Sequence, residues 1–330
     1  MTRRLGIALV TMALAVAVAA PVLAPHAVNE RFDGLLNAPP TIPRVIDADG
    51  ALRAPFIYAW HRVSQLEQRY EEDRLARVPL VWFAGGLLVR SANEADAPLL
   101  LLGADSFGRD VFARLAFGAR LSLGLAIAAA LGALLIGAFL GAMAGFYGGA
   151  LDDVLMRTTD FVMVLPSMYV ALALRAVLPL VLSATEVFAL LSAIFAVAGA
   201  PFVAHGVRAI VRSERRLEYA AAAEALGASD VRLLARHLLP ATRGFLAVQS
   251  TLLVPAFIVT EATLSYVGLG FPDQVASWGT MLQDASSNIR VFADFPWLLS
   301  PAAAMFLVVL GLNLMLQDGR PEGLHYERPL

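Results

Sequence analysis

One stretch of this chain holds most of its candidate chemistry. Glu218 to Pro240 reads EYAAAAEALGASDVRLLARHLLP, a charged interruption between two long apolar runs. Arg208, Arg212, Arg215 and Arg216 lie before it or at its edge, and Arg232, Arg236 and Arg243 lie within it or just after. The spacing predicts two short helices broken at Gly227, with Ser229 capping the second and Pro240 ending it. The alanine-rich first half has no core of its own. The chemistry on offer is therefore recognition, and the stretch reads as a docking element for a cytoplasmic partner.

Three charged residues fall inside apolar runs: Asp160, Arg175 and Glu261. A charge within a membrane span costs about 2.5–3.5 kcal/mol on insertion scales, so such residues point at protein or water. Asp160 is expected to pair with Arg157 or a neighbour near the inner surface. Glu261 is expected to hold a structural hydrogen bond or ion pair, or to line a path. His205 reads as a packed polar residue, since no second His lies at metal-binding spacing. The chain has no Cys, which excludes disulfides, thiolate metal sites and Cys nucleophiles. It has no Lys either, because all 25 basic residues are Arg. A P-loop needs its Lys to reach the phosphates, so any ATPase is a different polypeptide. No catalytic residue, metal site or cofactor is expected.

The elements that position these residues are membrane helices. The chain is 58% hydrophobic and 16% charged, whereas soluble domains carry about a quarter charged residues. Its formal net charge of −2 gives no sign of a nucleic-acid partner. Several apolar runs exceed the roughly 18 residues that mark a transmembrane helix. Six spans are expected, at 5–23, 121–147, 158–182, 186–210, 245–269 and 297–316. The first is read as retained, because Pro25 directly after the candidate cleavage site at Ala24 argues against removal. Gly137, Gly141 and Gly145 recur on one face of the second span, a spacing that lets helix backbones approach closely.

Residues 1–24 thus form the first helix and 118–318 a five-helix core with a cytoplasmic loop at 213–241. A tail occupies 319–330. Residues 25–117 are too polar for the bilayer and read as a small α+β insert. It holds a hairpin at Asp49-Gly50, an amphipathic helix over 58–77 with Val63, Leu66 and Tyr70 on one face, and a second hairpin around Gly85-Gly86. Asp105, Arg109, Asp110 and Arg114 lack catalytic spacing and read as ion-paired structure. With the N-terminus inside, the inner segments collect Arg3, Arg4, Arg157, Arg212, Arg215, Arg216, Arg232, Arg236, Arg243, Arg320 and Arg328. The outer loop at 270–295 has only Arg290. This bias places both termini and the docking stretch in the cytoplasm.

Four separated groups of residues now coincide with a known pattern. The first is Gly103, Asp105, Gly108, Arg109, Asp110, Val111 and Arg114; the second is Gly145, Tyr147, Gly148, Gly149, Asp152, Met156, Arg157 and Asp160. The third is Tyr219, Ala222, Ala223, Ala225, Leu226, Gly227, Ala228, Ser229, Arg236, His237, Leu239 and Pro240. The fourth is Glu261, Ala262, Leu264, Ser265, Gly268, Leu269 and Gly270, followed by Ser277-Trp278-Gly279. In this order they resemble the permease subunits of ATP-binding-cassette importers, most of all the second (C-type) permease of dipeptide/oligopeptide and nickel uptake systems. The likeness covers roughly residues 100–318. Two features depart from it. The family's acidic residue falls at Ala221, with Glu224 three positions along on nearly the same helix face. The 25–100 insert is longer than usual.

The resemblance implies an all-α polytopic membrane protein of six transmembrane helices, the type I importer permease fold, with an extracytoplasmic insert between helices 1 and 2. It implies a bacterial inner-membrane complex of two homologous permeases, two cytoplasmic ATPases and an extracytoplasmic solute-binding protein. Residues 217–227 would then be a coupling helix seated in the ATPase, carried by Glu218, Tyr219, Ala222, Ala223, Glu224, Leu226, Gly227, Ser229, His237 and Pro240. Arg175 would face the central cavity and hold a peptide carboxylate, or pair with an acid of the second permease. Di- and oligopeptides are the implied cargo, with nickel or another small solute as the alternative. An ion-coupled secondary transporter is the rival class; sparse intramembrane acids and the docking loop argue against it.

Overall fold

A computed structural model describes residues 2–47, 49–165, 169–170, 182–287 and 289–317. In lipid every backbone N–H and C=O must be satisfied within the segment, so an apolar run of this length folds as helix. The helices are α1 (Thr2–Leu23), α2 (Val111–Tyr147), α3 (Gly149–Val164), α4 (Ala184–Glu214), α5 (Glu218–Ala225), α6 (Asp230–Leu233), α7 (Arg243–Tyr266), α8 (Trp278–Ser286) and α9 (Ser300–Gln317). Among the described residues, five helical runs are long and apolar enough to cross a membrane: Thr2–Leu23, Val111–Tyr147, Ala184–Glu214, Asp230–Tyr266 and Pro296–Leu316. The third expected span, 158–182, and with it Arg175, falls largely outside the described residues.

Three expectations need correction. The stretch 148–157, expected as a loop because it lies between the expected spans 121–147 and 158–182, is helical: α3 begins at Gly149, and only Gly148, at φ 65°, separates it from α2. Asp152 in its first turn complements the positive end of the helix dipole. The helix expected over 58–77 is instead a long hairpin of β2 (Leu52–Ser64) and β3 (Arg69–Trp82). With β1 (Arg44–Ile46) and β4 (Val89–Ser91) they form an antiparallel sheet in the order β1-β2-β3-β4. Between α1 and α2 the described residues form no helix at all. Val63, Leu66 and Tyr70 keep a helical spacing, yet they fall in β2, in the turn and in β3 respectively. The alternating aromatics decide for strand, with Tyr58 opposite Arg77 and Trp60 opposite Glu72 across the register. Pro240, third, does not stop a helix. The chain stays helical from Asp230 to Tyr266, through a π turn at Leu234–Leu238 and a 3₁₀ turn at Leu239–Thr242. Proline lacks the N–H of an α-helical bond and its ring crowds the carbonyl four residues back, and the wider turn ahead of it relieves both.

The contacts divide the chain into two compact units. The first comprises Met1–Ala8, Gly124–Glu261 and Val309–Leu330. Its core is the seam of α2 on α4. A methyl group added at Gly137 would lie 2.5 Å from the Ala200 carbonyl oxygen, and one at Gly145 2.7 Å from that of Arg208. Gly141 meets Ala204 as closely. Backbone therefore lies on backbone along this face. Ala144 of α2, Met156 of α3 and Ala204 of α4 close the next cluster, and Phe195 of α4 stacks on Phe257 of α7 at 5.4 Å between ring centres. Ser183 and Glu186 cap α4 reciprocally.

The second unit comprises Leu9–Leu123 and Ala262–Val308. Its polar heart is an ion-pair knot. Arg109 donates to Asp105 at 2.7 Å and to Asp284 at 2.6 Å, with Arg114 3.6 Å from each acid. Burial pushes the Asp284 carboxyl above its usual range, and the two guanidinium groups pull against that shift. His26 and Asp110 meet at 2.9 Å, both side chains fully enclosed. Trp278, also buried, donates its ring N–H to the Leu115 carbonyl at 3.2 Å. Ser277 and Thr280 cap α8, and Gly279 leaves room for Ala262 and Ser265 of α7.

Candidate functional site

The Glu218–Pro240 stretch sits between α4 and the apolar part of α7, and its position is set from α4. At the end of α4, Arg208 grips Asp152 of α3 with Nε and Nη2, and Arg212 approaches the same carboxylate at 3.5 Å. The Arg215 guanidinium lies over the Phe146 ring of α2, 4.3 Å from its centre. Three arginines one turn apart thus fasten the end of α4 to α2 and α3. Hydrogen bonds from Arg208 hold the Asp152 carboxyl below the usual carboxylate range, and the nearby Arg212 charge adds to this. The 3₁₀ turn Leu239–Thr242 also packs against α4, with Thr242 and the preceding Leu238 buried.

From this fixed end the chain turns once, at Arg215–Leu217, and enters α5. Tyr219 donates its hydroxyl to Glu214 at 2.7 Å, tying α5 back to the last residue of α4. Desolvation and the Glu214 carboxylate push the Tyr219 phenol up to about 12, so it remains a donor across the physiological range. Ala220 is the buried contact of α5. Ala221, Ala222, Glu224 and Ala225 are exposed, as are Glu218 and Tyr219, and Ala223 is half-buried. The helix ends in a Schellman motif: Ala228 N–H donates to the Ala223 carbonyl at 3.1 Å and Gly227 N–H to that of Glu224 at 2.9 Å. Gly227 takes φ 84°, a conformation that costs a residue with a Cβ about 1–2 kcal/mol. Leu226, 89% exposed, and Val231, 75% exposed, flank the turn. Ser229 occupies the cap position of α6 without making a side-chain cap bond. His237 lies in the π turn and Pro240 in the 3₁₀ turn, both half-buried.

The arrangement suits a mechanical contact. A short helix of small side chains, open to solvent, is flanked by exposed leucine and valine and mounted on a braced helix end. Sequence reasoning singled out the residues of α5 and its turn but missed the brace. Its one signal was charge: the acidic pair Asp152-Asp153 just after a helix start, set against an arginine-rich helix end.

The intramembrane candidates are placed as follows. Asp160 of α3 meets His205 of α4 at 3.0 Å, with Thr159 3.4 Å from the same ring nitrogen. Glu261 is wholly buried in α7. The structure brings Asp160 and His205 together and leaves Arg157 out of that pair.

Comparison with known proteins agrees in one direction. Residues 137–317 match the family described as binding-protein-dependent transport system inner membrane component. The oligopeptide transport system permease protein OppC of Bacillus subtilis (strain 168) is 39% identical over 223 residues, spanning 67% of this chain and 70% of that one. The dipeptide transport system permease protein DppC of Alkalihalophilus pseudofirmus is 38% identical over 224 residues, spanning 67% and 70%. The glutathione transport system permease protein GsiD of Pectobacterium atrosepticum is 35% identical over 232 residues, spanning 70% and 74%. This chain belongs to the family of binding-protein-dependent inner-membrane transport components, the permease subunits of ATP-binding-cassette importers.

Proposed function

We propose that the protein forms half of the translocation pathway of a peptide importer, taking di- and oligopeptides. The names of its relatives support the cargo class. It pairs with a second, homologous permease, two cytoplasmic ATPase subunits and an extracytoplasmic solute-binding protein. Six spans cross the membrane, with both termini and the 213–241 stretch that joins α4 to α7 in the cytoplasm and the strand-rich insert outside. The tail, with Arg320 and Arg328, lies outside the described residues and belongs to the inner face in this reading.

The observation that carries the coupling role is the brace on α4. Because Asp152, Arg208, Arg215 and Phe146 fasten the base of α5 to α2 and α3, a push on α5 moves helices instead of a loop. Nucleotide-driven closure of the ATPases then displaces α5 as a rigid piece, and α4 and α7 rock between outward-open and inward-open states. Substrate and nucleotide act only through their differential affinity for these two states. The docking contacts are Glu218, Tyr219, Ala222, Ala223, Glu224 and Leu226, with Gly227 and Ser229 making the turn and His237 and Pro240 shaping the return to α7. Glu224, exposed on α5, serves in place of an acid at position 221.

The test is uptake by the reconstituted complex. Labelled dipeptide should accumulate in proteoliposomes only with ATP and the binding protein together. Uptake driven by a proton or sodium gradient without ATP would contradict the reading, and accumulation of nickel chelates with no peptide uptake would contradict the cargo class.

A further inference from the structure

The turn joining β3 to β4 carries an apolar tip that transport coupling leaves unused. Trp82 pairs with Val89 across the β3–β4 ladder, and Phe83 N–H donates to the Leu88 carbonyl at 3.0 Å. Trp82 is 50% exposed and Phe83 79% exposed. Two adjacent large aromatic rings held open at one end of the sheet are unfavourable in water.

What the tip is tied to identifies its surroundings. Leu88 N–H donates to the Val22 carbonyl at 2.8 Å, in the last turn of α1. α1 is 22 residues long, about 33 Å at about 1.5 Å per residue, close to the thickness of the hydrocarbon layer. Its last turn therefore marks one hydrocarbon boundary, and the backbone bond holds the tip at that level. Tryptophan and other amphipathic rings concentrate at this depth, where an apolar body and a polar edge are both satisfied. Val22, also exposed, continues the apolar surface from helix to tip.

We propose that the Trp82–Phe83 tip enters the headgroup–acyl interface of the phospholipid leaflet at the end of α1, anchoring the insert to the bilayer. The strand-rich segment, joined in the chain to α1 and α2, then has a further attachment to the membrane in this turn, which holds its orientation. The polar Gly85-Gly86 end lies toward the headgroups.

The absence of native Cys makes a direct test available. Phe83→Cys and Leu66→Cys, each in the full chain with its transport partners made Cys-free, are labelled with an environment-sensitive fluorophore and reconstituted in phosphatidylethanolamine/phosphatidylglycerol vesicles. Leu66 is 95% exposed at the β2–β3 turn, the far end of the 14-residue β3, and serves as the reference. Spin-labelled lipids should quench the probe at 83 at least threefold more than the probe at 66, and iodide should show the opposite order. Equal iodide access at both positions would overturn the proposal. Shielding of position 83 from both lipid and iodide would also overturn it, because the tip would then be covered by protein. Retained dipeptide uptake in both variants establishes that the labelled molecules are folded.

Discussion

The Asp152 carboxylate receives the side chains of two arginines from α4, and its protonation state follows from them. Its folded-state pKa is depressed by Arg208 first and Arg212 second. Such a group contributes stability above the ordinary carboxylate value of about 3.9. The contribution is lost only as pH falls through the lowered folded value. Asp152→Asn is therefore expected to lower the melting temperature in detergent by a constant amount from pH 5 to 8, corresponding to about 1–3 kcal/mol. The deficit should shrink only in strong acid. Glycines give a second residue-scale expectation. Gly137→Ala places a methyl group 2.5 Å from the Ala200 carbonyl, and such overpacking costs about 1–3 kcal/mol. Gly244→Ala meets nothing within 4 Å and lies in a helix, so it should be neutral or stabilising by up to about 1 kcal/mol. Thermal unfolding of the pair separates a packing glycine from a dispensable one.

At the scale of elements, the α5 turn is the sensitive point. The space around Gly227 is open, so substitution there is penalised by backbone conformation alone. Gly227→Val is expected to cost about 1–2 kcal/mol locally and to leave membrane insertion intact. If α5 transmits force, ATP hydrolysis by the complex should persist while dipeptide uptake falls severalfold. Unchanged uptake would show that the turn geometry is irrelevant. Much of this element was legible in sequence, because the glycine break and the alanine run are local signals. The ion pairs between helices were not legible. Asp152 and Arg208 are 56 positions apart, and their meeting depends on α2, α3 and α4 packing at the glycine seam. The 58–77 segment was misread for a related reason. Three apolar residues fell at helical spacing by chance across a hairpin turn, while the alternation of Phe56, Tyr58 and Trp60 and the pairing of β2 with β3 make the segment strand. Pro240 was read as a stop because a proline ends most helices. Here the apolar run beyond it keeps the chain helical, and the preceding π turn absorbs the misfit.

For the whole molecule, apolar composition set the class and the order of the helical runs, while the sheet in the insert needed the fold itself to appear. Membership of the importer permease family makes this chain one part of a larger machine, and α5 is its proposed contact with the engine. The measurement that bears most directly on that role is a cross-link. Ala222 is exposed on α5, and Ala222→Cys introduces a unique thiol in a chain with no other. Docking through α5 predicts a disulfide between Cys at 222 and a Cys placed in the surface groove of the ATPase subunit, with dipeptide uptake lost on oxidation and restored on reduction. A complex that hydrolyses ATP and transports, yet forms no such cross-link at any groove position, would contradict it.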